Sequence, residues 1–179
     1  KNKLKKNKKR LDIYTILFVR SIMKKGNNMK KTVIFDLDGT LALIDKRRAL
    51  ATKDGKMDWD VFFDRDNIKL DVPNTPVITM AQTLHSQGFT IVIFSGRSKV
   101  SYRTTRQWLI QNNVPFDMLQ MRPTDDYHHY MKDSALKQMW LDTLIDKDDV
   151  FAVFDDRQQV VDMWRSNGLT CFQVADGDF

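Results

Sequence analysis

The stretch Val33-Ile34-Phe35-Asp36-Leu37-Asp38-Gly39-Thr40 constrains the fold more than any other part of the chain. An apolar, β-branched run of this kind predicts a buried central strand. It ends in two aspartates one residue apart, followed by a glycine and a threonine. In extended backbone, residues two apart point the same way, so Asp36 and Asp38 are expected to emerge together at the strand's carboxyl end. In open α/β sheets that edge is where ligands bind. Two like charges so close repel unless a cation lies between them or one is protonated, and either condition is useful to an enzyme. Asp-Gly is also an ordinary turn dipeptide, but a turn needs only one of these acids.

From Met29 onward the pattern alternates strand and helix. The first strand is expected at residues 32–35. Residues 41–75 are polar, rich in Asp and irregular, with Trp59, Phe62 and Phe63 clustered inside them. A helix is expected over 76–87, with Val77, Met80, Ala81 and Leu84 at helical spacing and Gly88 to stop it. A second buried strand over 89–94 runs into Ser95-Gly96-Arg97. A helix over 101–113, a strand over 116–121, a loop over 123–131 and a helix over 133–145 follow. The fourth strand, 150–154, ends in Asp155-Asp156-Arg157; a helix over 158–167 and a last strand over 169–174 complete the chain. Such alternation predicts an α/β domain over 29–179, a Rossmann-like parallel sheet with helices on both faces and a small insert, 41–75, after the first strand.

At 179 residues the chain is long enough for one well-buried core. Its single cysteine, Cys171, permits no internal disulfide and gives no sign of an oxidising compartment. All 23 acidic residues are aspartates. The formal charge of +6 is unevenly spread: residues 1–28 hold ten Lys or Arg against one Asp, and residues 29–179 hold 19 basic against 22 acidic groups, a net of −3. The apolar run at residues 13–19 is too short to span a bilayer, and no secretory cleavage site follows it. A basic arm for nucleic acid is one account of residues 1–28. The expectation preferred here is a ribosome-binding site read through as protein. Lys24-Lys25-Gly26 needs purine-rich codons, and Met29 then marks the start. The setting expected for the domain is the cytoplasm of a bacterial or phage-infected cell, with no membrane partner.

Three strands end in polar residues that are able to converge on one crevice. Ser95 offers a hydroxyl beside a glycine that lets a phosphate approach the backbone, or is simply a turn serine. Asp155 and Asp156 are costly at a sheet edge without a cation or hydrogen bonds. Asp133 and Lys137, four apart on a helix, share a face, and by spacing alone they read as a surface ion pair. His128 and His129 are adjacent, so their side chains diverge and form no metal pair. Trp108, Trp140 and Trp164 lie on apolar helix faces and read as packing, and Cys171 as a buried strand residue. Trp59, Phe62 and Phe63 form either an aromatic mini-core or a surface on which a nucleobase stacks.

The order Asp-x-Asp-Gly-Thr, strand-Ser, helical Lys, strand-Asp-Asp resembles the four motifs of the haloacid dehalogenase-like phosphatases. Within them, the run from Phe154 to Arg165 and on through Cys171 to Phe179 resembles the phosphatase half of the phage polynucleotide kinase-phosphatases. Ser95-Gly96-Arg97, Asp133 with Lys137, and Arg47, nine residues beyond Asp38, agree with it. The kinase half has no counterpart: no Gly-x-x-x-x-Gly-Lys-Ser/Thr occurs, and Met57 follows Gly55-Lys56. The resemblance implies Asp36 as the nucleophile that forms an aspartyl-phosphate, and Asp38 as the acid that then turns base. It implies Mg2+ held by Asp36, the Asp38 carbonyl, and Asp155 or Asp156. Ser95 and Lys137 are implied as ligands of the non-bridging phosphate oxygens. Thr40, Arg47, Arg97 and Asp133 are implied at the substrate, with Asp133 orienting Lys137 or an arginine. The longer loop before Asp133 leaves Lys132 as an alternative to Lys137, and Arg48 stands beside Arg47.

The activity so implied is Mg2+-dependent removal of 3′-phosphates from DNA or RNA ends in nucleic-acid repair, beside a separate kinase or ligase. A phosphatase of free nucleotides or other small phosphate esters is the alternative within enzymes, since a net charge of −3 offers little footprint for long nucleic acid. An inactive end-binding module is the alternative outside them.

Overall fold

A computed structural model describes residues 31–177. The expectations for residues 1–28 lie outside the described residues. Five strands, β1 (Thr32–Phe35), β2 (Thr90–Ser98), β3 (Met118–Arg122), β4 (Val150–Arg157) and β5 (Cys171–Gly177), form one sheet in the order β3-β2-β1-β4-β5. All four pairings are parallel. The chain runs outward from β1 to β3 and then returns to the other side of β1. The order therefore reverses between β1 and β4, the point at which an α/β sheet opens a crevice for ligand.

Side-chain alternation sorts the core into two layers. Val33, Phe35, Ile91, Ile93, Ala152 and Phe154 face one side and pack with Ile78, Ala81, Trp108 and Leu109. These come from helices α2 (Thr75–Ser86) and α3 (Tyr102–Gln111), which follow α1 (Asp45–Ala51) in the insert. Ile34, Val92, Phe94, Val153 and Cys171 face the other side and pack with Leu136, Trp140, Leu141, Val160, Val161 and Trp164. Those belong to α4 (Asp133–Leu144) and α5 (Gln158–Ser166). All three tryptophans expected in the core are buried there, as is Cys171, whose thiol burial pushes up to about 12. No helix among the described residues is long and apolar enough to cross a membrane.

The insert is more ordered than its composition suggests. Ala42–Leu43 pairs antiparallel with Val72–Pro73 and closes its neck. Asp54 and Gly55, both at positive φ (50° and 74°), turn a tiny hairpin between Thr52–Lys53 and Lys56–Met57. Asp58 and Asp64 cap the one-turn helices Trp59–Phe62 and Arg65–Ile68 through their side chains. Ile44, Ala51 and Phe62, with Met57, Val61 and Phe63, give the insert a small core of its own.

Candidate active site

At the carboxyl end of β1 the Asp36 amide still donates to the Phe154 carbonyl (2.9 Å), so the first aspartate belongs to the ladder and its position is fixed by the sheet. Gly39 follows at φ +89°, a conformation that only glycine adopts cheaply, and its amide donates to the Ala42 carbonyl at 2.8 Å. This turn carries Asp38 past the strand. Both carboxylates line one cavity of about 780 Å³, together with Lys137, Asp155 and Asp156.

Their surroundings are opposite in kind. Asp36 accepts from Lys137 Nζ at 2.6 Å, and the same ammonium reaches Asp155 at 3.0 Å and Asp133 at 3.5 Å. Burial, and then the crowd of Asp155, Asp156 and Asp133, raises the Asp36 carboxyl well above its ordinary range against the pull of Lys137. Burial acts against charge on Lys137 too. Asp155, Asp36 and Asp133 outweigh it and hold the ammonium well above its usual range. Lys137 is therefore a buried, permanent counter-charge for three acids. The spacing to Asp133 was legible in the sequence; that the pair points inward was not.

Asp38 is clamped by two arginines. Arg97 donates to both of its oxygens through Nε, at 2.9 and 3.0 Å, and again through Nη2. Arg47 Nη2 donates to Asp38 at 2.5 Å. Burial of Asp38 favours its neutral form, but the two guanidinium charges overcome this and hold the carboxyl below the usual range. Behind them lies Asp71, which sequence reasoning missed. It accepts from Arg47 Nε (2.8 Å), Arg47 Nη2 (3.0 Å) and Arg97 Nη2 (2.6 Å), and its backbone carbonyl accepts from Trp108 Nε1 at 3.0 Å. Four charges alternating in sign thus fasten the insert to β1, β2 and α3.

Asp36, Asp155 and Asp156 each offer a buried carboxylate oxygen, and these atoms lie within 4.8 Å of one another; the Asp38 carboxylate is outside this group. Trp164 Nε1 orients Asp155 at 3.0 Å. Asp156 sits between two glycines: a Cβ on Gly39 would come to 2.1 Å of its Oδ2, and one on Gly177 to 2.2 Å. Burial and the neighbouring Asp155 push its carboxyl up to about 6. Three buried acids, two of them reluctant to ionise, form an oxygen-only set of the kind that a small hard divalent cation relieves.

Other expected site residues stand further back. Thr40, Ser95, Arg47 and Arg97 are fully buried and do not line the cavity. Thr40 Oγ1 donates to Asp156 (3.3 Å), and Ser95 Oγ accepts from the Arg97 amide (3.2 Å). Arg47 and Arg97, expected at phosphate or nucleic-acid backbone, are paired here with Asp38 and Asp71. The buried Asp71 and the partly buried Asp38 outcompete solvent for their guanidinium groups. Lys132, the alternative to Lys137, is exposed and lines the cavity, whereas Arg48 is half-buried and outside it. Asp133 accepts from Arg122 (3.4 Å) as well as Lys137, and a Cβ on Gly96 would approach its Oδ1 to 2.6 Å. His128 Nδ1 pairs with Asp125 at 2.7 Å.

The polynucleotide kinase PNKP phosphatase domain family matches residues 30–179. A protein of the Autographa californica nuclear polyhedrosis virus assigned as a bifunctional polynucleotide kinase/RNA ligase is 35% identical over 155 residues, which span 84% of this chain and 20% of the viral one. A chain of the Pnkp1/Rnl/Hen1 complex superposes with a TM-score of 0.68 at 34% identity, over 86% of this chain and 49% of that one. The chain thus spans about half, or less, of these relatives. More distant folds include an enzyme of the haloacid dehalogenase family from Bacteroides thetaiotaomicron in its magnesium complex, with a TM-score of 0.51, 14% identity and coverage of 83% and 95%. With the reversal of strand order beside Asp36 and the acids gathered there, these matches establish that the chain belongs to the polynucleotide kinase PNKP phosphatase domain family, within the haloacid dehalogenase-like phosphatases.

Proposed function

We propose that the chain is a Mg2+-dependent phosphomonoesterase that removes 3′-phosphates from DNA or RNA ends in nucleic-acid repair. The observation that carries this reading is the contrast between Asp36 and Asp38. Two residues apart, they open on one cavity, one against a lysine among acids and the other held between two arginines.

In the reaction, an Asp36 oxygen attacks the phosphorus in line. The bond from phosphorus to the 3′-oxygen breaks, its electron pair stays on that oxygen, and Asp38 supplies the proton. Water then attacks the phosphorus of the aspartyl-phosphate and gives a proton to Asp38. The bond to Asp36 breaks, and inorganic phosphate leaves. The arginines favour ionised Asp38, the form in which it accepts the proton of water; that proton is the one Asp38 gives to the 3′-oxygen of the next substrate, so the two steps together leave Asp38 unchanged. Lys137, fixed beside Asp36, balances the negative charge that develops on the transferred group. Asp36, Asp155, Asp156 and the Asp38 carbonyl would hold Mg2+, whose charge would favour the ionised Asp36 that the attack requires and would let a phosphate dianion approach so many carboxylates. Ser95, Thr40 and Asp133 act as supports: Ser95 under the Arg97 backbone, Thr40 on Asp156, and Asp133 on Lys137. The Pnkp1/Rnl/Hen1 likeness supports a setting beside a separate ligase, and the viral relative supports a setting in which kinase and ligase activities accompany such a domain.

Phosphate release tests the reading. It is measured from 3′-phosphorylated DNA and RNA oligonucleotides, a 3′-mononucleotide and an aryl phosphate. Highest kcat/KM on an oligonucleotide is expected. Equal turnover of the mononucleotide would point to free nucleotides as substrate, and release from none of them to an end-binding module.

A further inference from the structure

The cavity holds apolar, solvent-facing rings that the chemistry above does not use. Trp59 and Phe63 lie nearly parallel, with centroids 5.9 Å apart and 19° between planes. Phe62 stands edge-on to both, at 5.6 Å and 5.0 Å. Phe62 is buried, yet Trp59 remains 50% exposed and lines the cavity with Asp36 and Lys137. A tryptophan needed only for the insert's small core would bury more of its ring. From a distant segment, Tyr130 reaches the same cavity 85% exposed, edge-on to His129 at 4.6 Å.

The mounting of Trp59 is rigid and leads back to the reacting centre. Its neighbour Phe62 covers the Arg47 guanidinium, whose carbon is 4.2 Å from the ring centroid, and the Phe62 carbonyl accepts from Arg47 Nη1 at 3.1 Å. Arg47 in turn grips Asp38. Trp59 and the acid/base are thus joined through packed and hydrogen-bonded groups. Residues 29–179 carry a net charge of −3, so release of counterions from a long phosphate backbone is a weak source of affinity. Stacking needs no charge and tolerates any base. A base inside a duplex has both faces covered, whereas an unpaired terminal base offers one.

We propose that Trp59, backed by Phe63 and accompanied by Tyr130, is a stacking platform for the unpaired terminal nucleobase of a 3′-phosphorylated strand. Its ligand is the base one sugar away from the phosphate that Asp36 attacks, so the proposal rests on the polynucleotide phosphatase reading and gives it a substrate class, single-stranded ends.

The test compares kcat/KM for a single-stranded oligonucleotide bearing a 3′-phosphate with the same strand carrying an abasic sugar under that phosphate. This ratio does not depend on how much of a variant is folded. In the wild-type chain the base is expected to raise kcat/KM by about 5- to 150-fold. The ratio should fall towards one in Trp59→Ala, fall partly in Tyr130→Ala, and largely survive in Trp59→Phe. A ratio near one in the wild-type chain, or one that Trp59→Ala leaves intact, overturns the platform while the phosphatase reading stands. Phosphate release from neither strand overturns that reading and the platform with it.

Discussion

Replacing Asp71 with Asn tests whether the buried charges behind Asp38 act as one unit. The substitution keeps the shape and removes one negative charge from a cluster in which Arg47, Arg97 and Asp71 have no solvent-exposed side-chain surface. Asp71 accepts three hydrogen bonds, two from Arg47 and one from Arg97. An Asn amide nitrogen in place of one oxygen would meet a guanidinium donor head-on. Removing one partner of a buried ion pair costs about 3–5 kcal/mol, a large share of the roughly 5–15 kcal/mol that holds a domain together. Both guanidinium groups would then share Asp38 alone and bind it more tightly, driving its carboxyl further from the protonated form. Urea unfolding should show the stability loss, and steady-state kinetics a fall in kcat with KM little changed, because Asp71 is outside the cavity lining. Asp66→Asn serves as the control. It breaks an exposed pair with Lys69 and should leave the unfolding midpoint unchanged. A stable, fully active Asp71→Asn chain would refute the idea that these four charges position the acid/base.

Lys137→Ala should cost about 3–4 kcal/mol of transition-state stabilisation, and Lys132→Ala should be mild; the reverse order in kcat would make the exposed lysine the phosphate ligand. Asp156 binds its proton more tightly folded than unfolded, so its contribution to stability falls as pH rises from the ordinary carboxylate value to about 6. Asp156→Asn should therefore stabilise the metal-free chain near ~pH 8, by at most about 3 kcal/mol, with the gain vanishing near ~pH 4 in denaturant titrations. Dialysis against a chelator should abolish phosphate release and added Mg2+ restore it; full activity after chelation would remove the cation from the account.

The sheet was legible because apolar runs such as Val33–Phe35 and Ile91–Phe94 carry their own signal. Its strands outrun those signals where function begins. β2 continues to Ser98 and β4 to Arg157, through polar residues that the apolar pattern excludes. The last strand runs over Cys171–Gly177, later than the expected 169–174, because Gly168 and Leu169 still close α5 through backbone bonds to Arg165 and Trp164. The insert escaped because two-residue strands and one-turn helices are too short for any periodicity, although the capping residues Asp58 and Asp64 were there to be read. The segment 123–131, expected as loop, holds the helical turn Asp126–His129. Asp36, Asp38 and Lys137 were visible as motif residues. Asp71 was one aspartate among 23, and only the fold brings it under Arg47 and Arg97.

The central claim is that Asp36 becomes covalently phosphorylated. Rapid quenching of the chain with an oligonucleotide radiolabelled at its 3′-phosphate, followed by peptide mapping, tests it most directly. The account predicts transient label, released by hydroxylamine as an acyl phosphate should be, on the peptide that contains Asp36, and none in Asp36→Asn. Turnover without labelled protein, or label on a peptide lacking Asp36, would contradict it.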